Sequence, residues 1–130
     1  MEFPEDLKYS KEHEWVLVEG NVVTIGITDF AQDQLGDVVF VELPAVGDKI
    51  SQNDAFGVVE STKAVSDIYA PVTGTVVEIN DDLPENPEMI NEDCYGDGWM
   101  VKVEMSNPDE INALMNAAQY EGYTAEESED

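Results

Sequence analysis

Residues 55–70 constrain the fold most. Ala55-Phe56-Gly57-Val58-Val59 reads as a short apolar strand and Ala64-Val65-Ser66-Asp67-Ile68-Tyr69-Ala70 as a second, with the small polar turn Ser61-Thr62-Lys63 between them. A turn that short folds the strands back on each other as an antiparallel hairpin. It also holds Lys63 at the tip, where a four-carbon stem and an amine are free to meet another protein. Such a lysine is either a solvated turn residue or a site of covalent attachment. Five lysines and no arginines stand against thirty acidic residues, so Lys63 is one of very few cations in the chain.

The same strand and turn signals recur along the 130 residues, which make one domain with a single core. Trp15-Val16-Leu17-Val18 is a strand, Glu19-Gly20-Asn21 a turn, and Val22 to Ile27 the returning arm. Thr28 or Asp29 caps a short helix through Gln34 or Leu35, burying Phe30, Ala31 and Leu35, with Gly36 at the position after its end. Asp37 to Leu43 is a strand ended by Pro44, and Gly47-Asp48 turns the chain toward the hairpin. Gly74 to Ile79 is another strand. A long polar connection then runs from Asn80 to Gly98, with one helical turn near Pro87 to Ile90. Trp99 to Met105 is the last strand. Ser106 or Asn107 caps a helix with Pro108 in its first turn and an apolar stripe of Ile111, Leu114, Met115 and Ala118. The acidic tail from Gly122 is expected to fray. Trp15, Trp99 and Phe40 are expected in the core.

A formal net charge of −25 excludes nucleic acid and anionic membrane surfaces as natural partners, since both would repel the chain. Basic patches on other proteins complement it. The longest apolar runs fall well short of a membrane span, and Met1-Glu2-Phe3-Pro4-Glu5-Asp6 lacks the basic and apolar regions of a signal peptide, so the chain reads as cytosolic, in a bacterial cytoplasm. One cysteine, Cys94, allows no internal disulfide, and a single histidine leaves no Cys/His cluster for zinc. Asn80-Asp81-Asp82 lacks the glycine and terminal glutamate of a calcium loop, so no metal site is expected.

Acidic-Ser-x-Lys-Ala between two strands, followed by Ala70-Pro71-Val72-Thr73-Gly74, resembles the tip of lipoyl and biotinyl carrier domains. Thr62 and Ala64 beside the lysine look like the lipoyl kind, because biotinyl domains usually place Met on both sides. Further blocks narrow the resemblance: Leu7-Lys8-Tyr9-Ser10 with His13-Glu14-Trp15-Val16, Ile25-Gly26-Ile27-Thr28-Asp29 with Ala31-Gln32 and Leu35-Gly36, Val39 to Pro44, Gly57 to Ser61 with Lys63-Ala64, and Asp97-Gly98-Trp99-Met100. In register from about Leu7 to Tyr120, these resemble the H protein of the glycine cleavage system.

That resemblance implies a mainly β fold: a flattened barrel or sandwich of two small antiparallel sheets with pseudo-twofold symmetry, plus a short internal helix and a C-terminal helix. A weak internal echo, Gly36-Asp37-Val38-Val39 against Gly74-Thr75-Val76-Val77, agrees with it. The resemblance also implies a monomeric carrier without catalysis of its own, bearing lipoic acid in amide linkage on Lys63. Its implied partners are a pyridoxal-phosphate glycine decarboxylase, a tetrahydrofolate-dependent aminomethyltransferase, a flavin-containing dihydrolipoamide dehydrogenase and a lipoylating enzyme. Glu14 and Asp67, with Glu12 nearby, are the implied carboxylates for a loaded, cationic arm, and Glu60 is a candidate for recognition by the lipoylating enzyme. Some members carry histidines on the short helix where this chain has Phe30 and Gln34. Three other readings stay open: a lipoyl relay to 2-oxo acid dehydrogenases, a small hydrolase using Cys94 and His13, and a pure interaction protein.

Overall fold

The computed structural model describes residues 1–128. Alternating apolar residues separated by Gly, Pro and Asn turns fold as antiparallel strands in two sheets. The larger has six strands in the order β1 (Lys8–Tyr9), β2 (Glu14–Glu19), β3 (Val22–Ile27), β9 (Val101–Met105), β8 (Gly74–Ile79) and β5 (Lys49–Ile50). The smaller has three: β4 (Val38–Glu42), β6 (Ala55–Ser61) and β7 (Val65–Tyr69). They form an open sandwich rather than a closed barrel. Val16, Val23, Val76 and Val103 from one sheet and Val41 and Val59 from the other are buried between them. The two-residue strands β1 and β5 carry no pattern of their own and owe their existence to the neighbours they pair with.

The internal echo has a structural counterpart. Pairing between β4 and β6 slips between Val38 and Phe40, and pairing between β8 and β9 slips between Val76 and Glu78. These are equivalent positions in the two repeated stretches. Each slip admits one extra residue and turns the chain's phase by one side. Val38 is therefore buried while Val39 and Phe40 both point out, and Val76 is buried while Val77 is exposed. This corrects the expectation of Phe40 in the core. Trp15 is buried as expected, and Trp99 is half-buried.

Helix α1 (Asp29–Leu35) begins at Thr28, whose hydroxyl accepts from the Ala31 amide at 3.1 Å, and ends at Gly36, whose N–H donates to the Gln32 carbonyl. A second short helix, α2 (Met89–Glu92), lies in the long polar connection.

The C-terminal region departs from the single helix expected after Pro108. A 3-10 helix covers Pro108–Ala113, Met115 then bridges Tyr9 through two backbone hydrogen bonds, and α3 (Ala117–Ser128) starts afresh. The restart is a reciprocal cap: Asn116 Oδ1 accepts from the Gln119 amide at 2.8 Å, and Gln119 Oε1 accepts from the Asn116 amide at 2.9 Å. The segment expected to fray from Gly122 is helical as far as Ser128, and the last two residues lie outside the described ones. Docking explains this. Tyr120 stacks on Tyr9 with ring centroids 4.6 Å apart, inside a second apolar cluster with Leu7, Trp15 and Ala117.

Candidate functional site

Strands β6 and β7 meet at Thr62-Lys63-Ala64, and the turn is held by its own first residue. Ser61 Oγ accepts from the Lys63 amide at 3.3 Å and from the Ala64 amide at 3.1 Å, while the Ser61 amide donates to the Ala64 carbonyl at 2.8 Å. The Thr62 amide donates to the Asp37 carbonyl at 3.0 Å, which ties the tip to the start of β4. Lys63 itself is exposed and forms no salt bridge among the described residues.

Its stem leans on Gly36, where a Cβ would lie 3.1 Å from Lys63 Cε. Gly36 has φ 81° and ψ −155°, a region open essentially to glycine alone. Replacing Gly36 with Ala is expected to destabilise the fold by about 1–3 kcal/mol, read as a lower denaturant midpoint. An unchanged midpoint would show that the turn relaxes to another conformation.

Beside the hairpin a cavity of about 330 Å³ opens between α1, β7 and the end of α3. Ile27, Phe30, Leu35 and Ile68 make its apolar walls, and Glu12, His13 and Glu127 bring polar groups. Leu35 of its lining is the chain neighbour of Gly36, on which the lysine stem leans.

His13 joins three elements here. Its Nε2 stands 2.9 Å from Glu127 Oε2, its Nδ1 lies 2.8 Å from the Tyr120 hydroxyl, and that hydroxyl lies 2.7 Å from Thr28 Oγ1. With the ring proton on Nε2, Thr28 donates to Tyr120 and Tyr120 donates to His13 Nδ1, so each hydrogen is used once. His13 has φ 72°, a conformation held by backbone bonds from its own amide to Ser10 and from Thr28 to its carbonyl.

A sequence model of the glycine cleavage H-protein matches residues 7–127. The chain belongs to that family. It is 60% identical over 126 residues to the glycine cleavage system H protein of Carboxydothermus hydrogenoformans, covering 97% of each chain. It is 62% identical over 123 residues to that of Symbiobacterium thermophilum, covering 95% of this chain and 96% of the relative. The crystal structure of a glycine cleavage system H protein from Mycobacterium marinum superposes with a TM-score of 0.87 at 39% identity, over 94% of this chain and 98% of the other. Membership in the glycine cleavage H-protein family supports a lipoyl carrier role in glycine cleavage.

The carboxylates singled out in the sequence do not share one place in this family member. Glu14 is buried, and it borders a second cavity of about 320 Å³ with Tyr69, Asn53 and Glu12. Burial pushes its carboxyl up from 4.5 to about 7, against hydrogen bonds from the Ser10 hydroxyl at 2.5 Å and the Tyr69 amide at 3.4 Å, which pull it down. Glu12 is exposed and borders both cavities. Asp67 is set apart: Ser66 and Ile68 line the first cavity, and Asp67 between them in an extended strand takes the opposite face, exposed. Glu60, half-buried, lies on that outer face too, opposite Phe40 and Val65.

Ser10, Gly36, Tyr120 and Glu127 went unassigned to any site in the linear reading. Gly36 was legible as a helix end but not as the lysine's seat, and nothing in the chain's order announces the other three. Cys94 is buried, and burial with the nearby Asp29 and Asp93 charges pushes its thiol up to about 12, which disfavours a thiolate nucleophile. It lies by a different cavity from His13. No helix among the described residues is long and apolar enough to cross a membrane, and no group of three or more His, Cys, Asp or Glu among them is arranged to hold a metal ion.

Proposed function

We propose that this chain carries lipoic acid on Lys63 and conveys the aminomethyl group of glycine from a pyridoxal-phosphate glycine decarboxylase to a tetrahydrofolate-dependent aminomethyltransferase. A dihydrolipoamide dehydrogenase then restores the oxidised carrier, and the chain catalyses none of the steps itself. The observation that carries this reading is an exposed lysine on a turn tied at both ends, in a chain of this family. The surroundings suit the group: Lys63 is free of ion pairs among the described residues, its stem leans on Gly36, and the next residue back, Leu35, belongs to the wall of a partly apolar cavity. Lipoic acid, when attached, supplies the redox-active disulfide that side chains alone lack.

The chain's own residues contribute position, shelter and charge. Ser61 and Asp37 stiffen the turn, so a modifying enzyme meets a defined target while the side chain beyond stays mobile. Ile27, Phe30, Leu35 and Ile68 exclude water from an arm folded into the cavity. Glu12 and Glu127 offer carboxylates to a cationic amine there, and Glu14, poised near neutral pH, adds a third from the neighbouring cavity. Asp67, facing away, is left out of this pocket.

Intact-mass measurement on protein from lipoate-fed cells, with peptide mapping, tests the assignment. A lipoyl-sized increment on Lys63 is expected. An unmodified Lys63 in cells whose other lipoyl proteins are loaded would overturn it.

A further inference from the structure

The outer face of the three-stranded sheet is patterned. Phe40, Glu60 and Val65 are cross-strand partners in one row, and Glu42, Val58 and Asp67 in the next. Opposed residues share a face, as do residues two apart along a strand, so all six side chains project together. Apolar and acidic residues alternate like a chequerboard, and no lysine other than Lys63 at the tip lies near it in these strands. The apolar members are open to solvent: Phe40 is 44% and Val65 67% exposed, with Val39 at the slip beside them at 55%. The other large exposed apolar residues, such as Val18, Val46 and Val77, lie outside these three strands. Single exposed apolar side chains are ordinary, whereas a cluster beside a reactive group marks a contact surface.

We propose that this face is the docking surface for the enzyme that acylates Lys63, through a complementary surface of apolar side chains interspersed with basic ones. The inference rests on Lys63 being the attachment site. Reach selects this occupant over those that meet the loaded arm. An unmodified lysine extends roughly 6 Å from its Cα, and Val65 is at most about 7 Å along the chain from Lys63. An enzyme whose active site takes the bare amine must therefore cover Val65 and its row, whereas one that meets a long arm can stand further off. Charge agrees: Glu42, Glu60 and Asp67 in a chain of net charge −25 call for basic residues opposite. In the step itself the Lys63 amine attacks the carbonyl of an activated lipoyl donor, an acyl adenylate or acyl thioester. The amide bond forms, the adenylate or thiol leaves, the amine gives up a proton, and no redox change occurs.

The test uses full-length unmodified protein, a lipoylating enzyme with ATP and lipoate, and intact mass to follow acylation. Phe40→Ser with Val65→Ser is expected to lower kcat/KM for acylation at least about tenfold, and the exposed-site control Val18→Ser to leave it unchanged. Glu42→Gln, Glu60→Gln and Asp67→Asn together should raise KM and flatten its dependence on salt. Far-UV circular dichroism checks that each variant is folded. Acylation of both sets at the wild-type rate overturns the docking surface while leaving Lys63 as the attachment site. A dimer dispersed by Phe40→Ser, with acylation unaffected, would assign the face to a second copy of the chain. Wild-type protein that is not acylated at Lys63 removes both the underlying reading and this one.

Discussion

Replacing Lys63 with Arg is expected to abolish glycine-dependent turnover in a reconstituted system while leaving the fold intact. The guanidinium keeps the positive charge but cannot be deprotonated in proteins, so it does not form the amide with lipoate. Lys63 is exposed and unpaired among the described residues, and the turn around it is held by Ser61 and by backbone bonds, so stability has little to lose. Turnover should fall at least about 10²-fold, to background, because the carrier loses both the cofactor and the tether that would concentrate it at each active site. The measurement is glycine-dependent NADH formation with the three partner enzymes, alongside intact mass of the variant. Turnover within a few fold of wild type would mean that the chain works through contacts alone, which is the interaction-protein reading.

The second large effect lies in the pH dependence of stability, and Glu14 is its source. Unfolded, this carboxyl ionises around 4.5; folded, burial holds its proton to about 7. Between those values the native state binds more protons than the unfolded chain, so its stability falls as pH rises. The contribution is fully present below 4.5 and is gone above 7, a loss on the order of 3 kcal/mol. Glu14→Gln removes the ionisation. Denaturant midpoints from pH 4 to 8 should therefore show wild type losing stability relative to the variant as pH rises, despite Glu12 and the other acids titrating in both. Parallel curves would show that Glu14 ionises in the fold as it does in the unfolded chain, with Ser10 and Tyr69 offsetting the burial.

Neutral Glu14 at mildly acid pH and charged Glu14 above neutrality give the wall of the second cavity a charge that changes with pH. A cationic amine arriving nearby would draw the proton off, because an opposite charge favours the ionised form. The same residue that weakens the empty fold at high pH would then be compensated in the loaded one.

Local rules made much of the molecule legible from its residues. Thr28 and Gly36 bound α1 because a hydroxyl cap and a left-handed end are needs of the helix itself, met within a few residues. Strands β3, β6, β7 and β8 lie within a residue or two of the bounds that their apolar runs and flanking turns announce, and the short turn between β6 and β7 places Lys63 at a tip whatever surrounds it. The restart of α3 was also local, in the pairing of Asn116 with Gln119, but an apolar stripe running through Met115 hid it.

What the sequence determined by itself, then, was the set of strands, the capped helix, the lysine at its hairpin tip and, through many blocks in register, the family. The tertiary structure decided which side each residue faces and what covers it. Phe40 points outward because one extra residue at Val39 shifts the strand's phase, and that slip exists only in the pairing with β6. Asp67 faces away from the cavity that its neighbours Ser66 and Ile68 line because the register of β7 allows nothing else. Glu14 is a buried acid because β7 and the Ser10 turn close over it, and α3 is ordered because Tyr120 meets Thr28 across 92 positions of chain. Facing and burial are properties of pairs far apart in sequence, so no pattern confined to a few neighbouring residues can encode them.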